Sequence, residues 1–434
     1  MKSIEKDVGV FMNKLDVFEK LESNVRVYSR SFPAKFVKAY GEFLFTESNE
    51  KYIDFFCGAG ALNYGHNHPV LKQRLLEYIA NDGITHSLDM ATKSKEQFIC
   101  TMQEYILKPR KMNYKLQFTG PTGANAVEAA LKLARKVTGR HQIVTFMNGY
   151  HGLSMGALAV TGNLALRKAA GLELDAVTFL PFADNTAKID SLSLLEYGIS
   201  NPGSGIEKPA AVILETIQCE GGIHVADIHW LNRLAEICKK NHICLIIDDI
   251  QVGCGRTGKF FSFEEMEIQP DIIILSKSLS GYGLPFSLLL LKEHLDHWAP
   301  GEHTGTFRGN NLAFVTADAA IKEFWCNDSL SQMISKNHQI ASRYLTEICN
   351  QFRLPALRGR GFVLGIEMPD TKSAAYTAKV CFENKLIIEL CGPERTVLKF
   401  MPPLNIREKY LTEGLDILRK AIECTIKNRH DTSK

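Results

Sequence analysis

Lys277 closes one apolar run, Ile272-Ile-Ile-Leu-Ser276, and Asp248 closes another, Ile243-Cys-Leu-Ile-Ile247. Both runs read as buried strands, and about one strand–loop–strand unit separates the two polar groups. An amine and a carboxylate at the carboxyl ends of such strands suit pyridoxal 5′-phosphate chemistry. The amine condenses with the cofactor aldehyde. The carboxylate keeps the pyridine nitrogen protonated, so that the ring accepts electrons from a substrate carbanion. Ligands of open α/β sheets gather outside those same strand ends.

The elements that position this pair follow from periodicity. Residues from about 60 to 320 alternate strand-like and helical segments. Strands are expected at 115–119, 142–146, 211–214, 243–247, 272–275 and 286–291, and a helix at 125–137 with Val127, Ala130, Leu131, Ala134 and Val137 on one face. Apolar runs without clean alternation predict a sheet covered on both sides, hence α/β with mostly parallel strands. Beyond residue 325 the pattern becomes helix, strand, helix (330–352, 362–368, 376–383, 399–400, 410–427), the mark of a smaller α+β domain. A chain of 434 residues exceeds what one core usually holds. The expected division is an N-terminal segment (1–59), a large cofactor-binding domain (60–324) and a C-terminal small domain (325–434). Val8, Phe11, Met12, Leu15, Phe18 and Leu21 recur at helical spacing and predict a docking face. Residues 201–209 read as a loop by turn chemistry.

Composition excludes several classes. The net charge of +3 and the lack of a basic arm argue against a nucleic-acid partner. No apolar stretch reaches transmembrane length, and Met1-Lys-Ser-Ile-Glu-Lys-Asp7 lacks the layout of a signal peptide. Eleven scattered cysteines, an odd number, fit free thiols in a reducing cytoplasm better than a disulfide framework. The expectation is a cytoplasmic enzyme.

Three further motifs need weighing. Gly120-Pro-Thr-Gly123-Ala-Asn125-Ala-Val-Glu128 joins a strand to a helix, where small residues let backbone N–H groups and the helix dipole hold a phosphate. Gly253-Cys-Gly255-Arg-Thr-Gly258 is formally a dinucleotide fingerprint, but Lys259-Phe-Phe-Ser-Phe263 does not open a helix. His66 and His68 sit in a Gly/Pro turn and are read as structural, with no metal expected.

Leu245-Ile-Ile-Asp248-Asp-Ile-Gln251-Val-Gly253-Cys-Gly255-Arg-Thr-Gly258, followed by Pro270-Asp271 and Ser276-Lys277, resembles the signature of the class III aminotransferases. That resemblance implies the fold type I architecture of pyridoxal-phosphate transferases, with Lys277 and Asp248 as catalytic residues. It implies that the turn with Thr122, Gly123 and Ala124 grips the phosphate; Ala124 stands where the family often has a hydroxyl residue. Tyr150, in Gly149-Tyr150-His151-Gly152, would stack on the pyridine ring, Ile250 would pack on its other face, and Gln251 would bond its phenolic oxygen. His303-Thr-Gly-Thr306-Phe-Arg-Gly-Asn310 resembles the segment that crosses a dimer interface, so that Thr306 reaches the other subunit's phosphate. A homodimer or larger assembly with shared sites is therefore implied.

The likeness covers nearly the whole chain and is strongest to the ectoine-type members, which carry the amino group of L-glutamate to the aldehyde of L-aspartate 4-semialdehyde. It rests also on Tyr28-Ser-Arg-Ser-Phe-Pro33, residues 58–66 and residues 82–90. Glu220 matches the family's gate glutamate, which pairs with a cation in one half-reaction and releases it in the other. Many relatives supply that cation as an arginine; here Lys399 precedes Phe400-Met-Pro-Pro-Leu404, and a lysine cannot form a planar bidentate clamp. A second family arginine is replaced by Leu153. Arg308 or Arg30 is expected to supply the missing cation, with Arg358 a weaker candidate. Other ω-amino transaminases, acting on 4-aminobutyrate, ornithine or a related diamine, and same-fold aminomutases remain alternatives. A non-catalytic binding module is opposed by the intact Asp248, Gln251 and Lys277.

Overall fold

The computed structural model describes residues 16–182 and 189–432. Seven strands build the central sheet: β1 (Tyr114–Phe118), β2 (Ile143–Phe146), β3 (Val177–Leu180), β4 (Ala211–Leu214), β5 (Cys244–Asp248), β6 (Ile272–Leu275) and β7 (Leu288–Lys292), in the order β1-β7-β6-β5-β4-β2-β3. The pairs from β6 through β3 are parallel, and β7 runs antiparallel to both of its neighbours. The sheet is thus mostly parallel, with one reversed strand.

Both faces are covered. Leu245, Ile247, Ile273 and Leu275 point into one core, and Cys244, Ile246, Ile272 and Ile274 into the other. This double burial explains why the strands carry unbroken apolar runs. Helix α1 (Gly123–Thr138) packs Val127, Ala130, Leu131 and Ala134 on one face, and α2 (Ile228–Asn241) packs Leu231, Leu234 and Ile237 on the other. Helix α1 starts two residues earlier than the periodicity predicts, because the Thr122 hydroxyl caps it by accepting from Asn125 N–H.

After α3 (Asn311–Phe324) and α4 (Ser329–Phe352), strands β8 (Arg358–Arg360), β9 (Val363–Glu367), β10 (Glu389–Cys391) and β11 (Val397–Phe400) form an antiparallel sheet, β8-β9-β11-β10. Helices α4, α5 (Thr371–Glu383) and α6 (Glu408–Thr432) accompany it around a separate apolar core. Strands at 36–40, 43–46 and 51–54 make a further sheet, which the short strand 386–387 completes alongside residues 53–54. Residues 36–54 therefore pack with the C-terminal part.

Of the predicted N-terminal apolar face, Val8, Phe11, Met12 and Leu15 lie outside the described residues; Asp16–Leu21 is helical, with Leu21 exposed. All eleven cysteines are free. Among the described residues, no helix is long and apolar enough to cross a membrane.

Candidate active site

Parallel pairing sets Asp248 level with Ile274, so the carboxylate and Lys277 emerge at the same end of adjacent strands β5 and β6. They line one cavity of about 310 Å³ together with Gly123, Ala124, Tyr150, His151, Glu215, Ile250 and Gln251. Lys277 has φ +47°, a left-handed conformation that costs a non-glycine residue energy and that clusters at functional sites. Burial pulls its amine below the usual lysine range, with Glu220 pulling the other way. A lysine so placed is neutral more readily than one on the surface, which suits both attack on an aldehyde and proton transfer.

Asp248 is buried, and its Oδ2 lies 2.7 Å from His151 Nδ1. Burial opposes charge on that imidazole, but the hydrogen bond and charge of Asp248 outweigh it and hold His151 above the ordinary histidine range. A histidine behind the carboxylate fixes its orientation. Glu215 was not singled out from sequence. Its Oε1 accepts from Tyr150 N–H at 2.9 Å, and burial pushes its carboxyl up to about 8.

The α1 start carries the phosphate features. The cap spends the Thr122 hydroxyl locally: it accepts from Asn125 N–H and donates to Asn125 Oδ1. A phosphate placed here would meet the backbone N–H groups of the first turn. Crowding explains the small residues there. A Cβ on Gly123 would come within 2.8 Å of Ile250 Cδ1, and one on Gly152 (φ +131°) within 2.7 Å of Ala124 Cβ. This narrow cradle, the strand-end carboxylate and the buried amine fit pyridoxal phosphate: aldehyde, ring nitrogen and phosphate each have a group to meet.

Beside the cavity lies a charged cluster. Gln251 Nε2 donates to Ala59 O at 2.9 Å and to Glu220 Oε1 at 3.1 Å, and Lys399 Nζ lies 2.5 Å from Glu220 Oε1. The pairing of Glu220 with Lys399 expected from sequence is present. Burial alone would raise the Glu220 carboxyl; the charges of Lys399 and Lys277 outweigh it and hold it at about 2. A second carboxylate, Glu389, lies 2.8 Å from the same Lys399. It had no signal in the sequence beyond a lone acid in the run Ile387-Ile-Glu-Leu390.

Other candidates lie elsewhere. Arg30 donates to the carbonyls of Asn24 and Arg26 and to Asn24 Oδ1, and neither it nor Arg308 lines the cavity. Arg358 bonds the Gly222 carbonyl at 3.1 Å and pairs with Glu367. Thr306 is exposed, its carbonyl 2.8 Å from His86 Nε2, and neighbouring Phe307 is 67% exposed. The glycine-rich segment after β5 forms turns, and its Arg256 is fully buried, bonding Asn63 Oδ1 and the carbonyls of Phe362 and Pro402. That arginine ties the Asp248 turn to the β8–β9 region, and no dinucleotide cradle is built there. His66 pairs with Asp54 at 2.7 Å.

Fold and site together define a lysine-dependent enzyme of the open α/β type. A model of the class III aminotransferases matches residues 25–422, and the chain belongs to that family. Diaminobutyrate–2-oxoglutarate transaminase of Vibrio parahaemolyticus is 53% identical over 418 residues, 96% of this chain and 99% of that protein. The enzyme of the same name from Nocardia farcinica is 50% identical over 415 residues, 94% and 95% of the two chains. Among solved structures, ornithine aminotransferase from Toxoplasma gondii matches with a TM-score of 0.82 at 24% identity, covering 96% of this chain and 97% of that one. An aminotransferase from Bacillus anthracis matches with a TM-score of 0.83 at 22% identity, covering 94% and 97%. Identities this low speak to fold alone.

Proposed function

We propose that this chain uses pyridoxal 5′-phosphate to move the amino group of L-glutamate to L-aspartate 4-semialdehyde. The products are 2-oxoglutarate and L-2,4-diaminobutyrate, formed reversibly in two alternating half-reactions. The observation that carries the reading is the cavity where Lys277 and Asp248 meet, reached by Glu220 through Gln251, in a chain 53% identical to a relative named for this reaction.

The cofactor, when bound, supplies an aldehyde to hold the substrate nitrogen and a cationic ring to draw electron density from the substrate carbon. Asp248, braced by His151, holds the proton on the ring nitrogen. Tyr150 and Ile250 would flank the ring, and the backbone N–H groups of the α1 start would hold the phosphate. With the cofactor bound, Lys277 Nζ would be placed to take the proton from the substrate Cα and deliver it to the cofactor carbon that bears the nitrogen. Glu220 covers Lys399 when the substrate arm carries an ammonium group and turns aside when a carboxylate needs the cation.

Thr306 serves the phosphate bound by a second copy, which makes a homodimer the smallest working unit; the exposure of Thr306 and Phe307 supports this. Arg308, two residues along the same segment, binds a substrate carboxylate. Arg30 is the weaker choice, since its guanidinium is engaged by Asn24 and Arg26. An Arg308→Ala enzyme with an unchanged KM for glutamate removes Arg308 from this role.

The test is a pair of half-reactions followed by the visible absorbance of the bound cofactor. L-glutamate and L-2,4-diaminobutyrate should each bleach it, and 4-aminobutyrate and ornithine should not. If the diamine leaves the band untouched while another ω-amine bleaches it, the substrate reading falls.

A further inference from the structure

Lys399 has two counter-ions, and the fold treats them differently. Glu389 stands directly opposite Lys399 in the antiparallel β10–β11 pair, so the sheet register fixes their contact. Tyr28 O–H donates to Glu389 Oε1 at 2.9 Å and holds the carboxylate from behind. Both members are closed off from water, with side chains 1% (Lys399) and 7% (Glu389) exposed. Glu220 follows the two-residue strand 217–218, sits on a turn and keeps 25% of its side chain exposed. Glu220 can therefore leave Lys399 by a side-chain rotation toward water, whereas Glu389, set beside Lys399 by the register and held by Tyr28, would have to give up both partners inside a buried site.

We propose that Glu389 is the permanent counter-ion of Lys399 and, through it, a positioning residue that sets which substrate arm this end of the site favours. With Glu220 turned aside, Lys399 and Glu389 are neutral together; with Glu220 in place the trio carries one negative charge. In neither state is Lys399 an uncompensated cation. A buried cation without Glu389 would attract any carboxylate strongly. With Glu389 the site discriminates against an arm bearing only a carboxylate, as in glutamate. It favours an arm that also bears an ammonium group, as in diaminobutyrate or aspartate 4-semialdehyde. The second statement rests on the reaction proposed above; the first does not.

The experiment compares wild type, Glu389→Gln and Glu389→Asp holoenzymes in two measurements. Glutarate, a dicarboxylate with no amine to react, is titrated calorimetrically. Single-turnover bleaching of the bound cofactor is then followed with L-glutamate and with L-2,4-diaminobutyrate. Glu389→Gln should bind glutarate at least about tenfold more tightly. It should lower the half-saturating concentration of glutamate and raise that of the diamine. Glu389→Asp, which keeps the charge, should stay near wild type in both. Glu389→Ala replaces the glutamine variant if that one does not fold. A glutarate affinity within about twofold of wild type, or an equal fall in both half-reactions, overturns the proposal. If glutarate tightens while even the wild type ignores diaminobutyrate, the role of Glu389 stands and the assigned substrate falls.

Discussion

Lys399→Met keeps an unbranched stem of similar length and deletes the charge between two carboxylates. Removing one partner of a buried ion pair costs about 3–5 kcal/mol, because the other is left uncompensated. Glu220, 25% exposed, recovers part of its hydration, whereas Glu389, 7% exposed, does not. The cost therefore sits near the low end, about 3 kcal/mol at neutral pH. Its pH dependence has a definite sign. In the wild type Glu220 is held at about 2, below its ordinary 4.5, so its contribution is present above 4.5 and is lost as pH falls toward 2. The variant lacks that contribution, and the gap between the two proteins should be widest near neutrality and narrow below pH 4.5. Urea unfolding at neutral pH and near pH 3, followed by tryptophan fluorescence, measures it as a midpoint shift multiplied by the slope. Adding Glu389→Gln to Lys399→Met should restore about 1–2 kcal/mol, since the orphaned charge is then gone. A gap under about 1 kcal/mol at neutral pH, or one equal at both pH values, would refute the placement of Lys399 as a doubly paired buried cation.

Three more outcomes are expected. Lys277→Ala should lower amino transfer by at least about 10³-fold while leaving the unfolding midpoint near wild type; near-normal turnover would dismiss Lys277. Glu215 is raised to about 8 in the folded protein, so the stability it confers is present below its ordinary 4.5 and lost as pH rises through 8. Glu215→Gln should accordingly gain stability relative to wild type between pH 5 and pH 8, read from unfolding midpoints at both; a constant difference would mean that the carboxyl is ionised throughout. Gly152→Ala places a Cβ 2.7 Å from Ala124 Cβ at a φ of +131°. It should cost about 1–3 kcal/mol and loosen the cofactor about tenfold or more, measured by cofactor loss on dialysis against the wild type.

Much of the site was legible because its signals are local. Lys277 and Asp248 each end a run of buried β-branched and leucine residues, and parallel strands bring their carboxyl ends to one edge. The small residues of the 120–126 turn announced a helix start open to a phosphate, whereas the capping role of Thr122 came from the structure. The contacts that local signals miss come from remote parts of the chain. The sequence itself argues against a nucleotide fingerprint around Arg256, but its actual role, fully buried on Asn63, Phe362 and Pro402, came only from packing. Arg30 is a different case: its guanidinium is taken by Asn24 and Arg26, local partners in a turn that hydrophobic periodicity does not report.

What the sequence determined by itself is the chemistry: apolar period, strand ends and turn residues are properties of neighbours along the chain. They place an amine, a carboxylate and a helix N-terminus at one edge of a covered sheet. What only the tertiary structure decided is the charge environment. Glu389 meets Lys399 through a strand register, Tyr28 reaches Glu389 across 361 positions, and the Glu215 carboxyl is pushed up only because burial withdraws water from it. Desolvation and ion pairing depend on what surrounds a group from every side, and a linear sequence states only what precedes and follows it.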